Sequence, residues 1–207
     1  MAFYKPNDLD NRLTALPTGR PDLWAMYERA QESFWTPKEI RLYDDRTHFA
    51  TRLTDAQRRS VEFILMFFAV GDQLVNVNII EYFKAKMPVR DIAYFYDFQV
   101  MIENQHAETY ALAVEAIKPG AREQLQLMNA WRNIPSINAM CKWLEEVIDA
   151  DEGRFSLGRA LIKQACVEGI FFTSCFCVIY WLRSLGLMPG LGQSNALIAR
   201  DECMHTD

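Results

Sequence analysis

The sequence predicts an all-α protein built as a bundle of long helices. Three stretches of about thirty residues carry apolar side chains at helical spacing, well above the roughly 11–12 residues of an average globular helix. No stretch alternates cleanly between apolar and polar residues, as a half-buried strand does. Hydrophobic residues make up 50% of the chain, which is enough to fill a sizeable core. Long helices joined by short connections are typical of helix bundles.

Capping and helix-breaking residues divide the chain into its elements. Thr54 followed by Gln57 is a capping box, which starts the second helix, and the pair Pro119-Gly120 ends the third. By these signals the predicted helices cover about residues 22–33, 54–86, 91–118, 121–132, 136–149 and 155–185, and a last helix starts at Ser194. We expect one domain over residues 1–207, with an N-terminal arm of about residues 1–35 and a bundle of about residues 54–207.

Charge and composition exclude several classes of protein. The formal net charge is −5 and no basic block is present, so we expect no nucleic-acid partner. The longest uncharged apolar run, residues 169–182, is too short to span a bilayer, so we expect no membrane partner. The five cysteines form no Cys-x-x-Cys pair and have apolar neighbours, which predicts buried, reduced thiols and a cytoplasmic location.

Two of the three histidines stand three residues after a glutamate. These pairs are Glu103-Asn-Gln-His106 and Glu202-Cys-Met-His205. Residues at i and i+3 lie on one face of a helix, so each pair offers a carboxylate oxygen and an imidazole nitrogen to the same point. One such pair alone is usually a solvated surface pair.

The other two long helices each carry an acid where an apolar face continues. Asp72 follows FFAVG and Glu168 lies within ACVEGIFF. A buried unpaired carboxylate is costly or takes up a proton, and a metal cation removes that cost. In chain order the features are acid, Glu-x-x-His, acid, Glu-x-x-His, which is the arrangement of ferritin-like dimetal carboxylate bundles. Oxygen and imidazole ligands suit iron or manganese.

Several segments resemble the small, radical-generating subunit of class I ribonucleotide reductase. The resemblance covers nearly the whole chain after about residue 20, and these motifs are specific. They are FWTPKEI at 34–40, FFAVGD at 67–72, MIENQHAETY at 101–110, VEGIFF at 167–172, LGLMPGL at 185–191 and SNALIARDECMH at 194–205.

The resemblance implies a role for individual residues. One metal would be bound by Asp72, Glu103 and His106, and the other by Glu168, Glu202 and His205, with Glu103 and Glu202 as bridges. Tyr110 matches the radical tyrosine of the family. The apolar pocket that protects it corresponds to Phe172, Phe176 and Ile198, and the electron-transfer route to the surface corresponds to Trp35 and Asp201.

The resemblance also implies a reaction, a cofactor and partners. Two iron ions, or two manganese ions or one of each, would activate O2 and oxidise Tyr110. A large subunit would then use the tyrosyl radical to reduce ribonucleotides to deoxyribonucleotides. A homodimer is expected as well. Small subunits of this family normally continue well beyond the position of His205, so we expect a C-terminally truncated bundle. Three explanations are open: a fragment, a truncated copy, or a split subunit in which a separate chain is a further partner and supplies the missing helices and tail.

Three alternatives remain at this point. A ligand-binding dimetal oxidase of the same superfamily shares the metal ligands, and Tyr110 argues against it. A ferritin-like metal store is disfavoured by Trp35 and Asp201. An inactive or split half-subunit that acts as a binding partner is consistent with the short chain. The sequence also reads Asn76-Val77-Asn78 where the family has Asn-Glu-Asn.

Overall fold

The computed structural model describes residues 8–145 and 156–207, and within these ranges it contains helices and turns but no strand. The all-α prediction is therefore confirmed. The helices are α1 (Pro21–Glu32), α2 (Tyr43–Thr51), α3 (Asp55–Lys86), α4 (Arg90–Ile117), α5 (Ala121–Asn129), α6 (Pro135–Glu145), α7 (Ser156–Cys166, Val167–Phe172 and Thr173–Ser184 in succession) and α8 (Pro189–Thr206). Short 3-10 turns occupy Pro37–Glu39 and Ala130–Asn133.

Four long helices form the centre of the bundle. α3 packs along α4, α7 packs against α8, and α1 lies along the outer side of α4. The core between them is rich in aromatic rings, and Phe68, Phe83 and Phe172 are fully buried. α3 and α7 approach closely at Gly71, because a Cβ there would lie 2.8 Å from Cε1 of Phe172. The small residue thus lets two ligand-bearing helices meet.

Two of these helices contain a π-helical turn. It covers Asn78–Phe83 in α3 and Val167–Phe172 in α7. Such turns are rare and occur often at functional sites, because the extra residue re-aims the side chains beside it. Glu168 lies inside the second one. Sequence periodicity does not resolve a single inserted residue, so neither turn was predicted.

The start of α8 differs from the prediction. We expected the helix to begin at Ser194, and it begins at Pro189, which occupies its first position as proline often does. Gly190 fits there because a Cβ would overlap the Asp45 carboxylate and the Arg41 carbonyl. Met188, directly before the helix, has a φ of 51°. Gly190 and Gly192 lower the helix propensity of this segment, so the sequence did not predict a helix here. Tertiary contacts stabilise it.

Helix α2 was not predicted, because its sequence has little apolar periodicity. Its side chains accept hydrogen bonds from backbone N–H groups at the start of α8, and so hold that end of α8 in place. The Asp45 carboxylate accepts hydrogen bonds from Gly190 N at 2.8 Å and Leu191 N at 3.3 Å. Nδ1 of His48 accepts one from Met188 N at 3.1 Å. His48 is therefore half-buried at this junction.

The remaining helix boundaries agree with the prediction to within a few residues. The capping box is present, since Thr54 Oγ1 accepts from Gln57 N at 3.2 Å and Gln57 Oε1 accepts from Thr54 N at 2.8 Å. The predicted ends of two helices, residues 146–149 and residue 155, lie outside the described residues.

The cysteines differ in burial from the expectation. All five thiols are free, but only Cys141 is fully buried, while Cys177 and Cys203 are exposed on outward faces of α7 and α8. Their apolar sequence neighbours belong to the opposite, inward faces of the same helices. The prediction of buried thiols is wrong for these two residues.

Two helical stretches are long and apolar enough to cross a membrane by length and composition alone. They are Asp55–Lys86 and Leu157–Ser184, and 61% and 33% of their most apolar windows are buried inside the protein. Core helices of soluble proteins have the same properties, so these stretches are weak evidence for a membrane span.

Candidate metal centre

Four helices bring the six predicted metal ligands into one buried cluster. Asp72 comes from α3, Glu103 and His106 from α4, Glu168 from α7, and Glu202 and His205 from α8. Four of them are completely buried, and the side chains of Glu202 and His205 are 2% and 3% exposed. No other helix face in the described part of the chain collects such a set of acids and imidazoles.

The cluster divides into two adjoining groups. Asp72, Glu103 and His106 form one, and Glu103, Glu168, Glu202 and His205 form the other. Within each group the ligand atoms lie within 4.8 Å of one another. Glu103 belongs to both groups, and Oε1 of Glu202 also lies 3.1 Å from Nδ1 of His106 in the first. The structure therefore places two cation sites side by side with shared carboxylates.

Four carboxylate oxygens of this cluster lack hydrogen-bond donors, and this allows a test of whether metal ions fit. Both oxygens of Asp72, Oε2 of Glu168 and Oε1 of Glu202 are buried without a hydrogen-bond donor among the described residues. Unpaired buried carboxylates are costly, and a metal cation satisfies them. The donor set of oxygens and imidazole nitrogens matches iron or manganese. The residues can hold two such ions.

Burial and mutual charge set the protonation of the cluster. Burial raises the pKa of Asp72 and of Glu168 well above the usual range, and neighbouring carboxylates raise both further. Burial acts on Glu103 in the same direction, but His205 and His106 outweigh it and hold its pKa at about 2. Burial lowers the pKa of each histidine, but the surrounding carboxylates raise it above its ordinary value. The metal-free cluster therefore retains protons that a cation would displace.

His106 connects the cluster to a further buried carboxylate, Asp201. Its Nδ1 lies 3.1 Å from Oε2 of Glu103, and its Nε2 lies 3.2 Å from Oδ2 of Asp201. A carboxylate behind a ligand histidine fixes the orientation and tautomer of the ring. Here Nδ1 faces the metal position, so Nε2 donates its proton to Asp201.

Trp35 extends this connection by one more hydrogen bond. Its indole Nε1 donates to Oδ2 of Asp201 at 2.7 Å. Its ring stacks on the His106 imidazole, with centroids 6.0 Å apart and planes inclined by 21°. Burial would raise the pKa of Asp201, but the contacts with His106 and Trp35 lower it. The structure thus brings Trp35 and Asp201 together in one continuous path to the cluster.

Tyr110 lies in an aromatic stack beside the cluster. It follows His106 by one helical turn and is 2% exposed. Its ring stacks on Phe68 at 4.6 Å and 7°, and Phe68 in turn stacks on Phe176 at 5.1 Å. Burial raises the pKa of Tyr110 well above its usual value, and the negative charge of Asp72 adds to the shift.

The three predicted pocket residues are all buried in this region. Phe172 contacts Phe68 edge to face at 5.4 Å, and Ile198 is completely buried in the same core. Phe172 and Phe176 are linked to Tyr110 through Phe68. The sequence analysis did not single out Phe68, although it lies four residues before Asp72 and so on the same helix face.

Comparison with known proteins decides the family. A sequence model of the family "Ribonucleotide reductase, small chain" matches residues 12–207. The chain belongs to the ribonucleotide reductase small-chain family. It is 40% identical to the ribonucleoside-diphosphate reductase small chain of Trypanosoma brucei brucei over 197 residues, and 39% identical to small chain 1 of Saccharomyces cerevisiae over 202 residues.

Solved structures show the same fold. The ribonucleotide reductase Rnr4 homodimer of Saccharomyces cerevisiae aligns with a TM-score of 0.81 at 31% identity, covering 95% of this chain and 62% of that one. The R2 subunit of Clostridium botulinum gives a TM-score of 0.80 at 22% identity, covering 89% and 58%. A ligand-binding oxidase similar to R2 aligns with a TM-score of 0.72 at 22% identity, covering 89% of this chain and 69% of that one. The ferritin-like fold prediction is confirmed.

This small-chain family member is short beside its relatives. The alignment with the trypanosomal relative includes 95% of this chain but 57% of that protein. The alignment with the yeast relative includes 97% of this chain but 50% of that protein. The chain therefore spans between half and three fifths of the curated relatives named here.

Three amide side chains around the cluster were missed by the sequence analysis. Gln99 and Gln164 donate to Glu168, and Asn78 donates to Gln164. A signal was available for both glutamines, since each stands four residues before a predicted ligand on the same helix. Glutamines at that spacing are common on exposed faces, and only the structure distinguishes these two.

Proposed function

We propose that this chain is the radical-generating part of a ribonucleoside-diphosphate reductase small subunit, which supplies a tyrosyl radical for the reduction of ribonucleotides to deoxyribonucleotides. The observation that carries this proposal is that the buried Tyr110 lies close enough to the two carboxylate-histidine groups, which share Glu103, for Asp72, Glu202 and Glu103 to raise its pKa. Family membership supports the same reaction class.

The metal ligands are assigned by their place in the two groups. Asp72, Glu103 and His106 would hold one ion, and Glu168, Glu202 and His205 would hold the other. Glu103 and Glu202 would be shared between the two sites, which is supported by the contacts of Glu103 with His205 at 2.9 Å and of Glu202 with His106 at 3.1 Å. We propose two iron ions, with two manganese ions or a mixed pair as the alternatives that the same donor set accepts. The structures of the similar ligand-binding oxidase are described as having a Mn/Fe cofactor.

When bound, the redox-active ions supply the activation of O2 and the oxidising power for one-electron chemistry. Tyr110 provides the electron and the phenolic proton. Its raised pKa keeps the phenol protonated until it is oxidised, and the proton would then pass to a carboxylate of the cluster such as Asp72, whose charge acts on the phenol. Phe68, Phe172, Phe176 and Ile198 exclude water from the ring, which protects an oxidised tyrosine from quenching.

Trp35, Asp201 and His106 carry electrons between the cluster and the protein surface. The support is the unbroken path of two hydrogen bonds, both of which end on Oδ2 of Asp201. Asp201 stays ionised because its pKa is lowered. It therefore accepts both N–H groups and holds the indole and imidazole rings in a fixed relationship.

The partners we propose are the large reductase subunit, a second copy of this chain, and a polypeptide that supplies further bundle helices. Support for the last comes from an open cavity of about 360 Å³ between α7 and α8, whose wall includes Glu168 and Glu202. Tyr180, which lines this cavity on α7, is 41% exposed. An apolar helix on this face would cover Tyr180 and fill the cavity. We propose that the whole assembly is cytoplasmic, and family membership supports a soluble protein.

One observation favours a second candidate, a ligand-binding dimetal oxidase. A cavity of about 450 Å³ with a largely apolar lining extends from Leu23 and Phe95 to Gln99, Gln164 and His205. A small apolar ligand placed there would lie beside the cluster. The stacking of Tyr110 in a closed aromatic pocket favours the radical function over this one.

The test is to load the purified chain with Fe(II) without oxygen, admit oxygen, and record the electron paramagnetic resonance spectrum. We expect a tyrosyl signal that is absent in Tyr110→Phe and unchanged in Tyr82→Phe, a matched control at another buried tyrosine on α3. A wild-type chain that binds iron but gives no signal contradicts the radical function. A signal that persists in Tyr110→Phe contradicts the assignment of Tyr110.

A further inference from the structure

The two oxygens of the Glu168 carboxylate have different surroundings. Oε1 accepts hydrogen bonds from Nε2 of Gln164 at 2.8 Å and from Nε2 of Gln99 at 3.3 Å. Oε2 is buried and has no donor among the described residues. The glutamate is completely buried, and Gln99 and Gln164 are 3% and 8% exposed. One oxygen is therefore held by the protein and the other is left for a cation.

The orientation of Gln164 is fixed from its far side. A carboxylate that binds a metal ion through Oε2 has no proton on Oε1 and only accepts hydrogen bonds there, so the amide must present its NH2 group to Glu168. Its carbonyl then points away and needs a donor, which Nδ2 of Asn78 supplies at 3.4 Å. Asn78 is 1% exposed. The three residues form a relay from Asn78 through Gln164 to Glu168.

The relay joins the two π-helical turns. Asn78 is the first residue of the turn in α3, and Glu168 lies in the turn of α7. Gln99, a residue of α4, donates to the same oxygen of Glu168, and its Nε2 also lies 3.4 Å from Oε1 of Glu103. Residues of α4 and α7 thus meet at one carboxylate oxygen, and α3 is linked to it indirectly through Asn78 and Gln164.

We propose that Gln99 and Gln164 are positioning residues that reserve Oε1 of Glu168, so that this glutamate binds its metal ion through Oε2 alone. This inference rests on the proposed dimetal function. A glutamate free of such bonds can bind one ion with both oxygens, as carboxylates do elsewhere. Here the two glutamines occupy both lone pairs of Oε1, so a metal ion on that oxygen would displace at least one of their hydrogen bonds. Single-oxygen binding leaves a coordination position free, as catalytic metal sites require.

The experiment compares Mn(II) binding and Mn(II)-loaded crystal structures of the wild type with those of Gln164→Met and Gln99→Met. Methionine keeps the length of the side chain and removes the donor. We expect the wild type to bind two Mn(II) ions with one oxygen of Glu168 on the metal. In the variants we expect Glu168 to bind with both oxygens and the weaker Mn(II) site to lose about 10–100-fold in affinity, the usual effect of removing a partner of a metal ligand.

Two further variants serve as controls. Gln126→Met changes an exposed glutamine on α5 and should bind Mn(II) like the wild type. Asn78→Ala touches no metal ligand and should weaken binding in the same direction as Gln164→Met, by a smaller factor, because it frees the amide to rotate. Circular dichroism establishes that each variant folds.

The outcomes separate this inference from the proposed function. A wild-type chain that binds fewer than two Mn(II) ions overturns the dimetal function and this inference with it. Two ions in the wild type, together with unchanged affinity and single-oxygen binding in both glutamine variants, overturn the inference alone. Two-oxygen binding in the wild type also overturns it.

Discussion

Tyr110 and Phe68 stack face to face, with ring centroids 4.6 Å apart and planes inclined by only 7°. The tyrosine comes from α4 and the phenylalanine from α3, so this contact joins two ligand-bearing helices directly beside the candidate metal centre. It makes Phe68 the nearest aromatic neighbour found for Tyr110 among the described residues.

The stack predicts a role for Phe68 in radical lifetime. Phe68→Leu removes the ring contacts with Tyr110 and Phe176, which should lower the free energy of unfolding by about 1–2 kcal/mol. The smaller side chain also lets water reach the phenol, so the tyrosyl signal should decay faster. Phe63→Leu, at a 44% exposed position on the same helix, is the matched control. An unchanged decay of the signal in Phe68→Leu would contradict a protective role.

The path through Asp201 predicts a selective effect of Trp35→Phe. This variant keeps an aromatic ring next to His106 but loses the N–H donor to Asp201. We expect metal stoichiometry to stay unchanged and the rate of electron delivery to the cluster, followed by stopped-flow absorption, to fall at least about tenfold. Trp181→Phe changes an exposed tryptophan and should leave that rate unchanged. Loss of metal from Trp35→Phe would instead indicate a purely structural role.

The metal-free chain should lose stability as pH rises. The pKa values of Asp72 and Glu168 are raised on folding, so the stability they contribute is complete at low pH and is lost as pH rises above the ordinary carboxyl range. The raised pKa values of His106 and His205 act in the same sense at higher pH. Glu103, with a pKa of about 2, acts oppositely, and its contribution is lost only in acid.

This predicts a melting temperature that falls for the metal-free chain between about pH 5 and pH 8. Mn(II) binding displaces protons from the cluster, and fewer protons are bound there at the higher pH. The stabilising effect of Mn(II) should therefore be larger at the higher pH. Binding should also release protons into a weakly buffered solution. Differential scanning fluorimetry with and without a chelator measures the first effect, and a pH indicator measures the second. A pH-independent effect of Mn(II) would contradict the protonated cluster.

The contact between α2 and α8 predicts a cost for removing Asp45. Asp45→Ala deletes the acceptor for two backbone donors at the start of α8 and should lower the free energy of unfolding by about 1–2 kcal/mol, as for a helix N-cap. Asp44→Ala, at the exposed neighbouring position, should have little effect. Urea unfolding at neutral pH measures both, and equal stability of the two variants would contradict the capping role.

Asp45 also predicts a second pH effect, away from the metal centre. Burial raises its pKa to about 6, although the N–H groups of Leu191 and Gly190 oppose the shift. The part of its stabilisation that depends on protonation is therefore complete below about pH 4 and is lost as pH rises through 6, while the ionised carboxylate still accepts the two backbone hydrogen bonds. Asp45→Asn removes this titration. The variant's stability should vary less between about pH 4 and 7 than that of the wild type.

The metal ligands were the part of the site that the sequence predicted best. Glu103 and His106 lie on one helix face whatever the tertiary structure, because their spacing of three residues fixes that relationship. The same holds for Glu202 and His205. Asp72 and Glu168 were conspicuous because each interrupts an apolar face. The structure brings all six together, and their roles as ligands remain to be tested by metal binding.

Features that depend on how helices pack were not accessible in the same way. The Phe68–Tyr110 stack requires the register between α3 and α4. The hydrogen bonds of Gln99 and Gln164 to Glu168 require that helices α4 and α7 meet at one oxygen. The early start of α8 at Pro189 depends on Asp45 from a helix that has little periodicity of its own.

The sequence by itself thus determined the helical class, the family and the six candidate ligands, since spacing within one helix is set by backbone geometry. Only the tertiary structure decided which oxygen of Glu168 is left free, which ring covers Tyr110, and how Trp35 reaches His106. These contacts join residues far apart in the chain, and their geometry follows from the packing and the local π-helical turns rather than from any spacing along the sequence.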